Sequence, residues 1–162
     1  MSDINTGNPT PLGSSLTENG VNFSLIATNA EMVEILIFEN EISLSPKEIY
    51  KLDSNFKSGP YWHAEIKGLQ EGTIYAYRVH QKGNGVNNNY SKKILIDPCS
   101  RGISGWNKYL RKESFKDIDN TSCCLKSVVC DRQKFNFEEF PRPMHSWEDS
   151  IIYELHIKAY TN

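Results

Sequence analysis

Gly20 to Phe38 reads GVNFSLIATNAEMVEILIF, and its two halves carry different patterns. In the first, Val21, Phe23, Leu25 and Ala27 alternate with polar neighbours until Ile26. That period of two predicts a strand with one buried face. In the second, Met32 to Phe38 is apolar almost throughout. A run of this kind predicts a strand covered on both faces. Working outward, Glu48–Leu52, Tyr61–Ile66, Thr73–Val79, Ile94–Ile96 and Ser127–Cys130 are further strand candidates. No window of a dozen residues holds a convincing helical period. Roughly seven short strands, with Gly, Asn and Pro between them, predict an all-β chain folded as an Ig-like antiparallel β-sandwich.

With 162 residues the chain has room for one domain and a fragment of another. The formal net charge of −2 argues against general nucleic-acid binding, which needs a basic face. No apolar run approaches the roughly 18 residues of a membrane span. MSDINTGNPTPLGSS, at the N-terminus, has neither a basic n-region nor an apolar h-region, so a cytoplasmic protein is expected. Cys99, Cys123, Cys124 and Cys130 show no C-x-x-C spacing and read as reduced structural thiols. Lys82–Asn89 (KGNGVNNN) is a polar loop whose glycines neither follow a buried parallel strand nor open a helix. The PRP of Pro141–Pro143 favours extended backbone and marks a boundary within Gln133–Glu148.

Ile151, Ile152, Tyr153, Leu155 and Ile157 are apolar, and from Tyr153 they alternate with Glu154, His156 and Lys158. A strand is expected here, with nothing following it to cover one edge.

Five blocks of sequence resemble one family in order. Pro11-Leu12-Gly13 followed by GVNFSLIATNAEMVEILIFE resembles the opening of the N-terminal module of isoamylase-type glycogen debranching enzymes of glycoside hydrolase family 13. YWHAEIKGLQEGTIYAYRVH (61–80) is similar to the middle of that module, and ILIDPCSRGISG (94–105) to its connector. LKSVVCDRQKFNFE (125–138) and RPMHSWEDSIIYELHIKAYT (142–161) resemble the passage into the first strand of the catalytic barrel. The chain departs from the family pattern at Gln81-Lys82-Gly83, at Cys99, and at Ala159 and Tyr160. What the resemblance implies is a carbohydrate-binding module of family 48. The implied layout is a flexible N-terminus over 1–10, the β-sandwich module over 11–132, a connector over 133–149 and the first strand of a truncated (β/α)8 barrel over 150–162.

Retaining glycosidases hold two carboxyl groups roughly 5–5.5 Å apart across the scissile bond. In the family those groups follow barrel strands downstream of the first, and a complete barrel takes about 250 residues. No catalytic residue is therefore expected here, and Glu138, Glu139, Glu148, Asp149 and Glu154 read as a solvated acidic stretch. His63, His80, His145 and His156 lack ligand spacing, so neither a metal nor a cofactor is expected. Modules of this kind stack aromatic rings on glucose, which makes Trp62, Tyr75, Tyr77 and Trp106 the candidate sugar-binding residues. The faces that Trp62 shares with Ala64 and Ile66, and Tyr75 and Tyr77 with Val79, favour core packing, while Trp106 after a glycine is expected at the surface. The expected function is that of a non-catalytic accessory piece of an α-1,6-glucosidase. Its expected partners are α-glucan (glycogen or maltooligosaccharide) and the missing barrel, or a separate chain that supplies it. The alternative is a free-standing glucan-binding or scaffold module.

Overall fold

The computed structural model describes residues 3–81, 92–116, 118–131, 133–134 and 142–160. The predicted Lys82–Asn89 loop lies outside them. Two compact units are present, Met1–Arg132 and Gln133–Asn162.

The first unit is all-β. Its strands are β1 (Ile4–Asn5), β2 (Gly13–Leu16), β3 (Gly20–Ile26), β4 (Ala30–Phe38), β5 (Glu48–Leu52), β6 (Lys57–Ser58), β7 (Tyr61–Lys67), β8 (Ile74–Gln81), β9 (Gly102–Ser104) and β10 (Lys126–Val128). One antiparallel sheet has the order β1-β7-β3-β2, with β6 also on β7, and the other runs β5-β4-β8-β10-β9. The alternation read from the sequence is what packs them together. Val21, Phe23 and Leu25 of β3 and Trp62, Ala64 and Ile66 of β7 share one core with Val33, Ile35 and Ile37 of β4 and Tyr75 and Tyr77 of β8. This is the β-sandwich the sequence predicts.

From Val33 to Phe38 β4 is buried on both faces, as its almost continuous apolar run predicts. Leu36 and Phe38 point away from the main core and, with Ala76 of β8, meet Ile94 and Cys124 in a second cluster. Ile94 and Cys124 thus cover part of the outer face of the second sheet. Lys126 is 1 % exposed, with Nζ donating to the carbonyls of Glu41 and Thr121 and sitting 4.9 Å from the Phe38 ring centroid. A buried ammonium is tolerated because carbonyls and a ring face replace its water.

On the outer face of the first sheet three polar side chains hold the N-terminal segment. Asn22 exchanges two hydrogen bonds with the backbone of Asn8, and Ser24 Oγ donates to the Pro9 carbonyl at 2.6 Å. His63 Nδ1 lies 2.7 Å from the Thr6 carbonyl, which can only accept, so Nδ1 carries the proton and Nε2 accepts from Ser58 Oγ. Gly7 makes the fit achievable: it has φ of +65°, and a Cβ there would lie 2.3 Å from Asn22 Oδ1.

The terminal segment differs from expectation. Ile151 to His156 form no strand, and Ile157–Tyr160 is a single helical turn closed by Ala159 and Tyr160 N–H groups on the His156 carbonyl. Alternation sets which face a residue occupies, but a strand also needs a hydrogen-bonded neighbour. Among the described residues none pairs with this segment, so no barrel strand is formed. Ile94–Ile96 also falls short of a strand, with Leu95 making one isolated bridge to Tyr77.

The connector is pinned by Asp97, which is 3 % exposed. Its carboxylate accepts from Tyr75 Oη and from the Cys99 N–H, each at 2.7 Å, and its own N–H donates to Ser127 Oγ. Burial, the largest cause, pushes the Asp97 carboxyl above its ordinary value, and the donors offset only part of this. The folded state therefore holds the Asp97 proton more tightly than the unfolded chain does. That contribution to stability is complete below the unfolded pKa and lost as pH rises through the folded one. Asp97→Asn cannot titrate. Urea unfolding from about pH 4 to about pH 7 should show the wild-type advantage over Asp97→Asn largest at the acid end and shrinking toward neutrality. A gap independent of pH contradicts this.

Candidate functional site

The aromatic candidates separate by burial. Trp62 is 2 % exposed, its indole N–H donates to the Ala27 carbonyl at 3.0 Å, and Lys57 Nζ lies 4.9 Å from its ring. Tyr75 is fully buried, edge-on to Phe23 with centroids 4.9 Å apart and to Tyr77 at 5.8 Å. Burial and the neighbouring Asp97 raise both tyrosine phenols above their ordinary range. These three rings are packed in the core and nearly inaccessible to solvent. For the candidates Trp62, Tyr75 and Tyr77 the packing role weighed against sugar binding is the one their burial fits: the face they share with Ala64, Ile66 and Val79 is turned inward.

Trp106 is different, at 64 % exposed. β9 ends at Ser104, and Gly105 follows with φ of +94°, a conformation that favours glycine. A Cβ at Gly105 would come within 3.3 Å of the Cys124 carbonyl, so the chain turns tightly against its neighbour here. The turn is closed by Lys108 N–H on the Gly105 carbonyl at 3.1 Å and anchored by Leu110 N–H on the Cys123 carbonyl at 3.2 Å. Tyr109 stands at 81° to the Trp106 ring with centroids 6.0 Å apart. Asn107 and Lys108, both exposed, follow Trp106 in the chain. An exposed ring with an amide and an ammonium next in sequence has the parts a sugar site uses, an apolar face for stacking and donors for hydroxyls. Tyr109 was not a candidate from sequence. Its spacing of three from Trp106, in a turn opened by glycine, is the signal that locates it.

Other concavities have different chemistry. A recess of about 540 Å³ between the ends of β3 and β8 is lined by the aliphatic Leu25, Ile26, Val79 and Leu95 together with Tyr77, Gln81 and Lys93. Among the described residues no group of three or more His, Cys, Asp or Glu is placed to hold a metal ion. All four cysteines are free, and burial raises the Cys124 thiol above its usual value, which disfavours the reactive thiolate. No described helix is long and apolar enough to cross a membrane.

Residues 11–100 match the family model described as carbohydrate-binding module 48 (isoamylase N-terminal domain). The chain belongs to this family. Over 169 residues it is 31 % identical to the glycogen debranching enzyme of Pectobacterium carotovorum subsp. carotovorum (strain PC1), covering 99 % of this chain and 25 % of that protein. The glycogen debranching enzyme of Escherichia fergusonii is 33 % identical over 172 residues, with the same coverage. The chain thus spans about a quarter of the length of the curated relatives it matches. Among solved structures, a pullulanase from Bacillus acidopullulyticus aligns with a TM-score of 0.51 at 20 % identity, covering 75 % of this chain and 12 % of that one. The product complex of the multi-modular glycogen-degrading pneumococcal virulence factor SpuA aligns with a TM-score of 0.53 at 18 % identity, covering 78 % and 12 %. These similarities establish the fold.

The division between core and surface rings is measurable. Trp62→Ala should cost about 3–5 kcal/mol in urea unfolding, whereas Trp106→Ala should stay within about 0.5 kcal/mol of wild type. Comparable losses in the two variants contradict the assignment.

Proposed function

We propose that this chain is the glucan-binding and docking module of a glycogen-debranching system, and that it performs no hydrolysis itself. The observation that carries the reading is the family match over residues 11–100, joined to an exposed Trp106 followed by Asn107 and Lys108. The ligand is an α-glucan chain, glycogen or a maltooligosaccharide, with one glucosyl face stacked on Trp106 and hydroxyls within reach of the amide and ammonium. The catalytic carboxyl pair belongs to a (β/α)8 barrel of about 250 residues. Gln133–Asn162 is far short of that, so the barrel comes from further polypeptide, on this chain's parent or on a separate chain. In that setting residues 11–132 are the module, 133–149 the connector and 150–162 the first barrel strand, which forms its ladder only when barrel neighbours are present. The compartment is cytoplasmic, where glycogen is stored as a reserve and thiols remain reduced.

A second reading, a free-standing scaffold module, is favoured by one feature: Met1–Arg132 closes its own hydrophobic core. The two part on glucan affinity. Isothermal titration of the folded protein with maltoheptaose should give saturable heat that Trp106→Ala abolishes. Absence of heat from folded wild type removes glucan binding and leaves docking alone. Incubated with glycogen, the pure chain should release no reducing ends above a buffer control. Release sensitive to substitution within this chain contradicts a non-catalytic role.

A further inference from the structure

Ser58 and His63 form a hydrogen-bonded pair whose chemistry reaches beyond holding the strap. Gly59, with φ of +59°, and Pro60 turn β6 back onto β7, so that Ser58 lies opposite Tyr61. Opposite residues of a ladder share a face, and the residue two further along shares it too. Ser58 is therefore the diagonal neighbour of His63 on the outer face of the first sheet, and its Oγ lies 2.8 Å from Nε2.

This arrangement has the parts of a nucleophile and its base. The Thr6 carbonyl takes the Nδ1 proton at 2.7 Å, so the lone pair of Nε2 is the one turned to Ser58. His63 is 5 % exposed and bonded at both nitrogens, which holds the ring in place. The strap thus does for His63 what an orienting carboxylate does for a catalytic imidazole, and its carbonyl stabilises the imidazolium formed on proton transfer. Ser58 itself is exposed, and a Cβ at Gly59 would touch nothing within 4 Å beyond its chain neighbours, so an electrophile has room to approach. The Gly59 N–H, on the residue after the hydroxyl, bonds to no described group. One such donor is half of the pair that a full oxyanion hole uses, which restricts the site to electrophiles that are already activated.

We propose that Ser58 is an acyl-accepting nucleophile, with His63 as its general base, for small activated esters. As Oγ attacks the carbonyl carbon its proton passes to Nε2. The ester C–O bond then breaks, its electron pair leaves with the alkoxide or phenoxide, and His63 returns its proton to water. The product is O-acyl Ser58. Its oxygen no longer donates, so acylation removes one of the two hydrogen bonds that hold His63 beneath the strap. No glycosidic bond is involved, and the pair lies on the first sheet whereas Trp106 follows β9 of the second, so this chemistry is independent of the function proposed above.

Incubation of the whole folded chain with p-nitrophenyl acetate, followed by peptide mass spectrometry, tests it. Ser58 should be acetylated at least about tenfold faster than Ser45 and Ser54, two exposed serines with no histidine partner among the described residues. The preference should vanish in urea-unfolded protein. Ser58→Ala should remove the fast phase of p-nitrophenolate release. His63→Gln should lower Ser58 to the rate of Ser54, whereas Ser24→Ala, which loosens the strap without touching the pair, should leave the preference intact. Near-UV circular dichroism checks the fold of each variant, and the comparison of folded with unfolded wild type decides the matter if His63→Gln does not fold. A folded wild type whose Ser58 reacts no faster than Ser54 overturns the proposal, as does a preference that survives His63→Gln.

Discussion

The β4–β8 ladder is the constraint on which the rest of the structure depends. It runs from Ala30 opposite Gln81 to Phe38 opposite Ile74, and it lies at the interior of its sheet. Each strand sends side chains to both faces; the inner face is apolar, and the outer one carries Leu36, Phe38 and Ala76 beside a Glu34–Arg78 ion pair at 2.9 Å. One face demands the first sheet, which supplies Phe23, Trp62 and Ile66. The other demands a cover of its own, supplied by Ile94 and Cys124 from the long excursion between β8 and β10. A two-layer sandwich with an extra lid on one side follows from burying a strand twice.

That lid decides where function can reside. Tyr50, Tyr75 and Tyr77 face the inner core, and Ile94 and Cys124 cover Phe38 on the outer face, so the aromatic residues of the second sheet are enclosed. Surface chemistry is displaced onto the lid, where Gly105 turns the chain and lifts Trp106 clear of the protein. The first sheet is closed differently, by backbone carbonyls from residues 6 to 9 laid over Asn22, Ser24 and His63. One layer is sealed with hydrocarbon and the other with hydrogen bonds.

Most of this was legible in the residues. Alternation located β3, β7 and β8, and the apolar run of β4 announced its double burial. β1, β2, β6 and β9 escaped because two to four residues are too few to display a period. The C-terminal segment carries no strand among the described residues because alternation around Tyr153 and Leu155 reports a face, while a strand exists only with a neighbour to bond. Trp62, Tyr75 and Tyr77 were ambiguous for a physical reason: a large ring serves a core and a sugar platform equally well, and only enclosure distinguishes them. Trp106 was identified from its place after a glycine, and Tyr109, which braces it, was overlooked. Asp97 gave no signal, since a buried acid is recognised by the Tyr75 hydroxyl that reaches it from another strand.

The strap over the first sheet bears on where this module can be severed or joined. Family resemblance begins at residue 11, yet hydrogen bonding to the sheet begins with the Asp3 carbonyl on Lys67 N–H, and the last strand ends at Val128. A graft made at the boundaries of the family match would discard the ceiling of one sheet and the lid and inner strand of the other. It would leave Asn22, Ser24 and His63 facing solvent on one side and strip Cys124 from the cover of Leu36 and Phe38 on the opposite one. The transplantable unit is the stretch from Asp3 to Val129, and a fusion partner belongs ahead of the strap, not in its place.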